Sequence, residues 1–192
     1  MPTERNDEEE AYFKALEIEQ RRKLREKLEA AAKDMADKQA IADSLKTDDL
    51  SLAERIKALG FSGDSARVFD LLPLVHVAWA DGSVQKGERA AILRVLGKRG
   101  VAPGSEGFTL MESLLEERPS AEYMQQSLAV LRELLGGDAR SSEIVDLCQQ
   151  VAAAAGGFLG LGGKINDDER ALIDDIAQHL GSGPEGFREQ LD

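Results

Sequence analysis

The chain has 192 residues, with 24 Lys and Arg against 36 Asp and Glu, for a formal net charge of −12. That excess of acid removes the basic face a nucleic-acid binder needs to neutralise phosphates, and it opposes docking on anionic lipid. A single cysteine, Cys148, excludes an intramolecular disulfide and a cysteine-based zinc site.

The N-terminus is charged from Glu4 onward and lacks the apolar stretch of a signal peptide. From about Asp7 to Leu45 the sequence reads as one long charged helix without Gly or Pro. Leu24, Leu28, Ala31, Met35, Lys38, Ala42 and Leu45 step by four and three residues, a narrow heptad stripe interrupted by Lys38. So thin a stripe cannot form its own core, so the helix must project, pair with another helix or dock on a partner. Lys46-Thr47-Asp48-Asp49 reads as a hinge, which divides the chain into 1–49 and a helical domain over 50–192.

Within the domain, helices are predicted at about 51–59, 65–80, 85–99, 105–117, 120–135, 141–156 and 166–180, with a closing turn at 184–191. Strand signals are almost absent. Gly60, Gly100, Gly136-Gly137 and Gly181 fall where C-terminal caps are wanted, and Asp64, Ser120 and Asn166 where N-caps are. Pro73 predicts a kink in the 65–80 segment, or two short helices with Pro73 in a first turn. Cys148 sits in an apolar run as a small core residue. The fold class is all-α: a globular bundle of about seven short helices with one long helix before it. The longest apolar candidate, Val151 to Leu161, falls short of the ~20 residues of a membrane helix, so a soluble, cytoplasmic protein without membrane insertion is the expectation.

An internal repeat organises the domain. DGSVQKGERAAILRVLGKRG at 81–100 is echoed by GGKINDDERALIDDIAQHLG at 162–181, and Pro103…Glu106-Gly107-Phe108 by Pro184-Glu185-Gly186-Phe187. Each copy puts a Gly-containing turn before a helix and a Glu in its first turn: Glu88 and Glu169. Asp81-Gly82, Val84 and Glu88 have the spacing of the second half of an EF-hand loop, with Val84 suited to a short backbone bridge. The first half is missing, since Val77 and Trp79 stand where its acidic ligands belong. Two readings stay open. The glutamates can stabilise the positive end of their helices. Alternatively Asp81, Glu88, Asp167, Asp168 and Glu169 can supply oxygens to one weakly held divalent cation, if the loops face each other.

The runs VAWADGSVQKGERAAI and GGKINDDERALIDDIA resemble the TerB-like family of tellurite-resistance proteins, and the N-terminal domain of certain membrane-anchored J-domain cochaperones. The resemblance covers roughly 50–182. It implies an all-helical, non-enzymatic domain whose acidic residues bind a divalent metal, with Ca²⁺, Mg²⁺, Mn²⁺ and Zn²⁺ as the candidates. Asp81 and Glu88 match the first motif; in the second, Glu169 matches and Gly162 replaces the aspartate.

The stretch at 7–27 is of another kind. Three acids, Glu8, Glu9 and Glu10, precede Tyr12-Phe13, and the basic cluster Arg21-Arg22-Lys23 with Arg25 follows. An amphipathic helix with an aromatic anchor suits a groove on a protein partner. The expected contacts are Glu9, Glu10, Tyr12, Phe13, Leu16, Gln20, Leu24 and Arg25. This stretch also resembles the inhibitory helix of the mitochondrial ATP synthase inhibitor protein, which implies an ATPase as partner. That family's histidine-rich coiled coil has no counterpart here. A structural scaffold dimerising through the long helix is a further expectation.

Other signals are weaker. GFLGLGGK at 157–164 lacks the first glycine and the Ser or Thr of a phosphate loop, with Phe158 and Ile165 at those positions. The two histidines, His76 and His179, have no Ser or Cys partner identifiable from sequence, so hydrolytic catalysis lacks support.

Overall fold

The computed structural model describes residues 3–136, 139–155 and 165–181, and for 3–9 and 155 the backbone alone. The described residues form eight α-helices, one 3-10 helix and no strand. They are α1 (Thr3–Leu45), α2 (Leu50–Ala58), α3 (Leu72–Ala78), α4 (Lys86–Lys98), α5 (Glu106–Glu116), α6 (Ala121–Leu135), α7 (Ala139–Ala155) and α8 (Asp167–His179). A 3-10 helix, Ser65–Leu71, runs straight into α3. The predicted 65–80 segment is therefore two short elements, with Pro73 in the first turn of α3, where its missing N–H has no intrahelical partner to lose. The predicted 157–164 glycine run and closing turn 184–191 lie outside the described residues.

Punctuation explains most boundaries. Ser120 and Asn166 accept from the backbone N–H groups of Tyr123 and Glu169 and so cap α6 and α8. Asp64 does not cap. Its backbone is already helical and its carboxylate pairs with Arg67 instead. Gly136 closes α6 in the left-handed conformation, where a Cβ is unfavourable.

The core has α3 at its centre, every residue of it buried. The 3-10 helix and α4, α5, α6, α7 and α8 all pack on α3, and α7 also packs on α4 and α8. The duplicated units are thus α3 with α4 and α7 with α8, with α3 against α7 between them. Ile92 and Leu96 of α4, and Ile173 and Ile176 of α8, are the buried repeat positions. Each removes roughly 1.5–3 kcal/mol worth of apolar surface from water.

The C-terminal end of α1 belongs to this core. Ile41 and Ala42 are fully buried, with Leu45 close behind, and α2 folds back along the helix. Lys38, the polar break in the heptad stripe, bonds Asp34 and Glu54, while Lys57 of α2 reaches Asp34 and Asp37 at 2.9 Å. Gly63 lies where the following loop crosses α1, and a Cβ there would meet that of Ala40 at 2.6 Å. Beyond Asp34 toward the N-terminus, α2 no longer covers α1, and Leu28, Leu24, Leu16, Phe13 and Tyr12 are exposed. No described helix is long and apolar enough to cross a membrane.

Candidate acidic site between the two repeats

Both repeat helices start with a reciprocal capping box. In α4 the N-cap is Gln85: its side chain accepts from the backbone N–H of Glu88, and Glu88 Oε2 accepts from Gln85 N–H at 2.8 Å. In α8 the N-cap is Asn166: its Oδ1 accepts from Glu169 N–H at 2.7 Å, and Glu169 Oε2 accepts from Asn166 N–H at 2.9 Å. Each box satisfies two backbone donors that a helix end otherwise leaves open. The signal is present in the sequence as Gln85-x-x-Glu88 and Asn166-x-x-Glu169.

Sequence spacing gives no warning that these glutamates are buried. Glu88 is 1% exposed and Glu169 2%. They act on one another electrostatically, although 81 positions separate them. Burial pushes the Glu88 carboxyl up to about 7, and the negative charges of Glu169 and Asp81 push in the same direction; the hydrogen bond from Gln85 opposes them. Each capping bond uses one carboxylate oxygen, and among the described residues the other oxygen of each glutamate has no hydrogen-bond partner.

Asp81 is exposed at the rim. Its Oδ1 accepts from Ser83 N–H at 3.1 Å and its Oδ2 from the Gln85 amide at 3.2 Å, which fixes the Asp-Gly turn ahead of α4. Gly82 supplies the positive φ of +94° that this turn requires. Among the described residues Val84 forms no backbone bridge; it and Ile165 are partly buried against the core. Asp167 and Asp168 lie in the first turn of α8, exposed and without a hydrogen bond or ion pair to another described residue. Of the five predicted oxygen donors, Asp81 and Glu169 therefore act electrostatically on Glu88, while Asp167 and Asp168 are exposed.

The donor set is hard and anionic, as a divalent cation with oxygen preference needs. It is also sparse. Among the described residues no group of three or more His, Cys, Asp or Glu side chains is arranged to hold a metal ion. The described donors form no closed cage.

Two other polar features are structural. His76 Nε2 lies 3.3 Å from Ser127 Oγ, a partner sequence analysis did not find. Both side chains are buried, and burial lowers the His76 pKa to about 4. A hydroxyl sealed in the core, already donating to Met124 O at 2.8 Å, has no access to substrate. Arg99 closes α4 onto Asp70 at 2.5 Å and Glu143 at 3.3 Å.

Of the predicted partner contacts on α1, Glu10, Tyr12, Phe13, Leu16, Gln20, Leu24 and Arg25 are all exposed, and the side chain of Glu9 lies outside the described residues. Tyr12 and Phe13 meet edge to face at 5.9 Å between ring centroids.

Duplicated helical units, paired across α3 and α7 with acidic residues in the first turn of each second helix, define an all-helical domain. The family model of tellurite resistance protein TerB matches residues 71–191, well over half of the chain, and the chain belongs to that family. The match opens at the end of the 3-10 helix, so α1 and α2 lie before it. No curated protein and no solved structure gives a significant match.

Proposed function

We propose that this TerB-family chain is a non-enzymatic stress-response and interaction module, which binds a divalent cation weakly at its acidic loops and presents α1 to a protein partner. The observation that carries the cation reading is the pair of buried glutamates. Two carboxylates from separate repeats sit close enough to repel one another, each with one oxygen to spare. A cation between them offsets both that repulsion and the cost of burying charge. Glu88 and Glu169 would hold it directly, Asp81 would add charge from the rim, and water would complete the shell. Asp167 and Asp168 would raise the local negative potential from outside. The cation would supply charge neutralisation that couples the two repeats.

Cys148 bears on tellurite. It is the single thiol of the chain, it is buried, and burial pushes its pKa up, away from the thiolate form that oxyanion redox chemistry uses. Binding and signalling suit the residues better than reduction.

Calorimetric titration with Ca²⁺, Mg²⁺, Mn²⁺ and Zn²⁺ tests the cation reading. At least one should give saturable heat with the wild type and none with Asp81→Ala/Glu88→Ala. Equal heats for both proteins contradict the proposal.

The exposed Tyr12–Phe13 pair favours a second reading, in which α1 enters the catalytic head of an ATP synthase and restrains hydrolysis. Micromolar full-length chain should then slow ATP hydrolysis, and Phe13→Ala should relieve the effect. Unchanged hydrolysis retires this reading.

A further inference from the structure

We infer that α1 from Glu10 to Lys33 is a self-supporting helical arm, which carries Tyr12 and Phe13 clear of the domain and needs no second helix to stay folded. The inference rests on reading α1 as the element shown to a partner, and it says in what state the partner finds it. The arm begins where the seat of α1 ends. Lys57 of α2 bonds Asp34 and Asp37, Lys38 bonds Glu54, and Ile41 and Ala42 are sealed in the core. From Lys33 back to Glu10 every side chain is exposed. Tertiary packing therefore does not hold this stretch, and its helix has to be explained from within.

Three features do so. The first is the seat. Starting a helix is its costly step, whereas each residue added to an existing end fixes one residue for one hydrogen bond. The buried end of α1, through Ile41, Ala42 and Leu45, is that nucleus. The second is composition. Between Glu10 and Lys33 only Tyr12, Phe13 and Ile18 fall outside the strongest helix formers, Ala, Leu, Arg, Lys, Gln and Glu. Leu16, Leu24 and Leu28 belong to that set, so propensity accounts for them without a covering partner. The three weaker formers all lie toward the free end.

The third is the charge register. Among the described residues every ion pair from Glu10 to Lys33 is made within α1 at i,i+4: Glu10–Lys14, Glu17–Arg21, Glu19–Lys23 and Arg22–Glu26. In the first three the glutamate is N-terminal to the base, the more favourable order on a helix. Such exposed pairs are individually small and screened by salt, and here they favour propagation outward from the seat. At 1.5 Å per residue the arm sets Phe13 roughly 30 Å beyond Asp34. A partner thus meets the aromatic tip on a preformed helix and is spared the ordering of it.

Backbone NMR of the full chain, from micromolar to millimolar, tests this, with sedimentation giving the mass. Carbon-13 α shifts and amide exchange should report helix from Ala15 to Lys33 in the monomer, decaying toward Tyr12 and independent of concentration. Leu24→Ala/Leu28→Ala should leave that helix intact, since no packing is lost. Glu17→Gln/Glu19→Gln should lower amide protection from Tyr12 to Lys23 about two- to fivefold, with Ile41 and Ala42 unchanged. Spin labels at Lys14→Cys and Gln39→Cys, with Cys148 buried and unlabelled, should give one narrow distance of about 37 Å, the length of that stretch of helix. Helix that appears only as concentration rises, or that the leucine substitutions melt, overturns the inference and assigns the face to a second copy. Random-coil shifts before Met35 at every concentration, or a broad distance distribution, also overturn it, and leave a partner to fold the arm on contact. A folded arm that finds no partner retires the partner reading alone.

Discussion

Helices α4 and α8 open with the same hydrogen bonds and stand in different surroundings. In both, a polar N-cap and a glutamate three residues later exchange bonds, and the glutamate is buried. Ahead of α4, however, Asp81 adds a third negative group and holds the Asp-Gly turn through Ser83 and Gln85. Ahead of α8 the sequence has Gly162 in the matching position, and its extra acids, Asp167 and Asp168, point outward. What the duplication preserves is the cap. The charge around it has diverged, and the first loop carries more of the electrostatic load.

Four substitutions or conditions break or sharpen that comparison. The largest effect is expected from truncating either glutamate. Glu88→Ala or Glu169→Ala leaves a backbone donor of the N-cap without its acceptor and costs about 1–3 kcal/mol, read as a fall in denaturation midpoint. Similar losses from the two changes support the shared cap; a neutral outcome for one shows that its box contributes nothing.

Next in size is the N-cap itself. Asn166→Ala should cost about 1 kcal/mol, since Asn caps strongly, and Gln85→Ala less, measured by urea titration. A larger loss at Gln85 reverses the ranking and points to its second bond with Asp81.

The third effect depends on pH. Glu88 titrates near 7 in the folded chain against about 4.5 as a free side chain, so the folded state holds the extra proton between those values. Its contribution to stability is complete below 4.5, falls as pH rises toward 7, and is lost above. The thermal midpoint of the wild type should therefore rise on acidification from pH 8 to pH 6. Glu88→Gln, which keeps an acceptor for Gln85 N–H, should flatten this dependence and stabilise the protein at pH 8. A pH profile unchanged by that substitution removes Glu88 as its source.

Smallest is the effect of the outward acids. Asp167→Asn and Asp168→Asn lose only exposed helix-dipole interactions, about 0.3–1 kcal/mol each, and should lower cation affinity slightly. Loss of cation binding in either one would move the site outward, away from the buried pair.

The helices and most of their ends were legible in the sequence because caps are local chemistry. Ser120, Asn166, Gly100 and Gly136 each act on residues within a turn of themselves. Asp64 misled because a 3-10 helix begins there on backbone already helical. The electrostatic influence of Glu169 on Glu88 was not legible, since it depends on how α4 and α8 pack around α3 and α7. Periodicity marks the apolar face of each helix and says nothing about which polar first turns feel one another's charge. Burial of Ile41 was hidden for a related reason: it lies beside the heptad stripe and not on it.

The most direct measurement follows the side-chain carboxyl carbons of Glu88 and Glu169 by NMR during titration of the full chain with Ca²⁺ or Mg²⁺. Both resonances should move together, with one dissociation constant, and the Glu88 titration midpoint should drop below 7 in the bound state. Movement of Asp167 and Asp168 alone, with Glu88 and Glu169 stationary, would contradict the account.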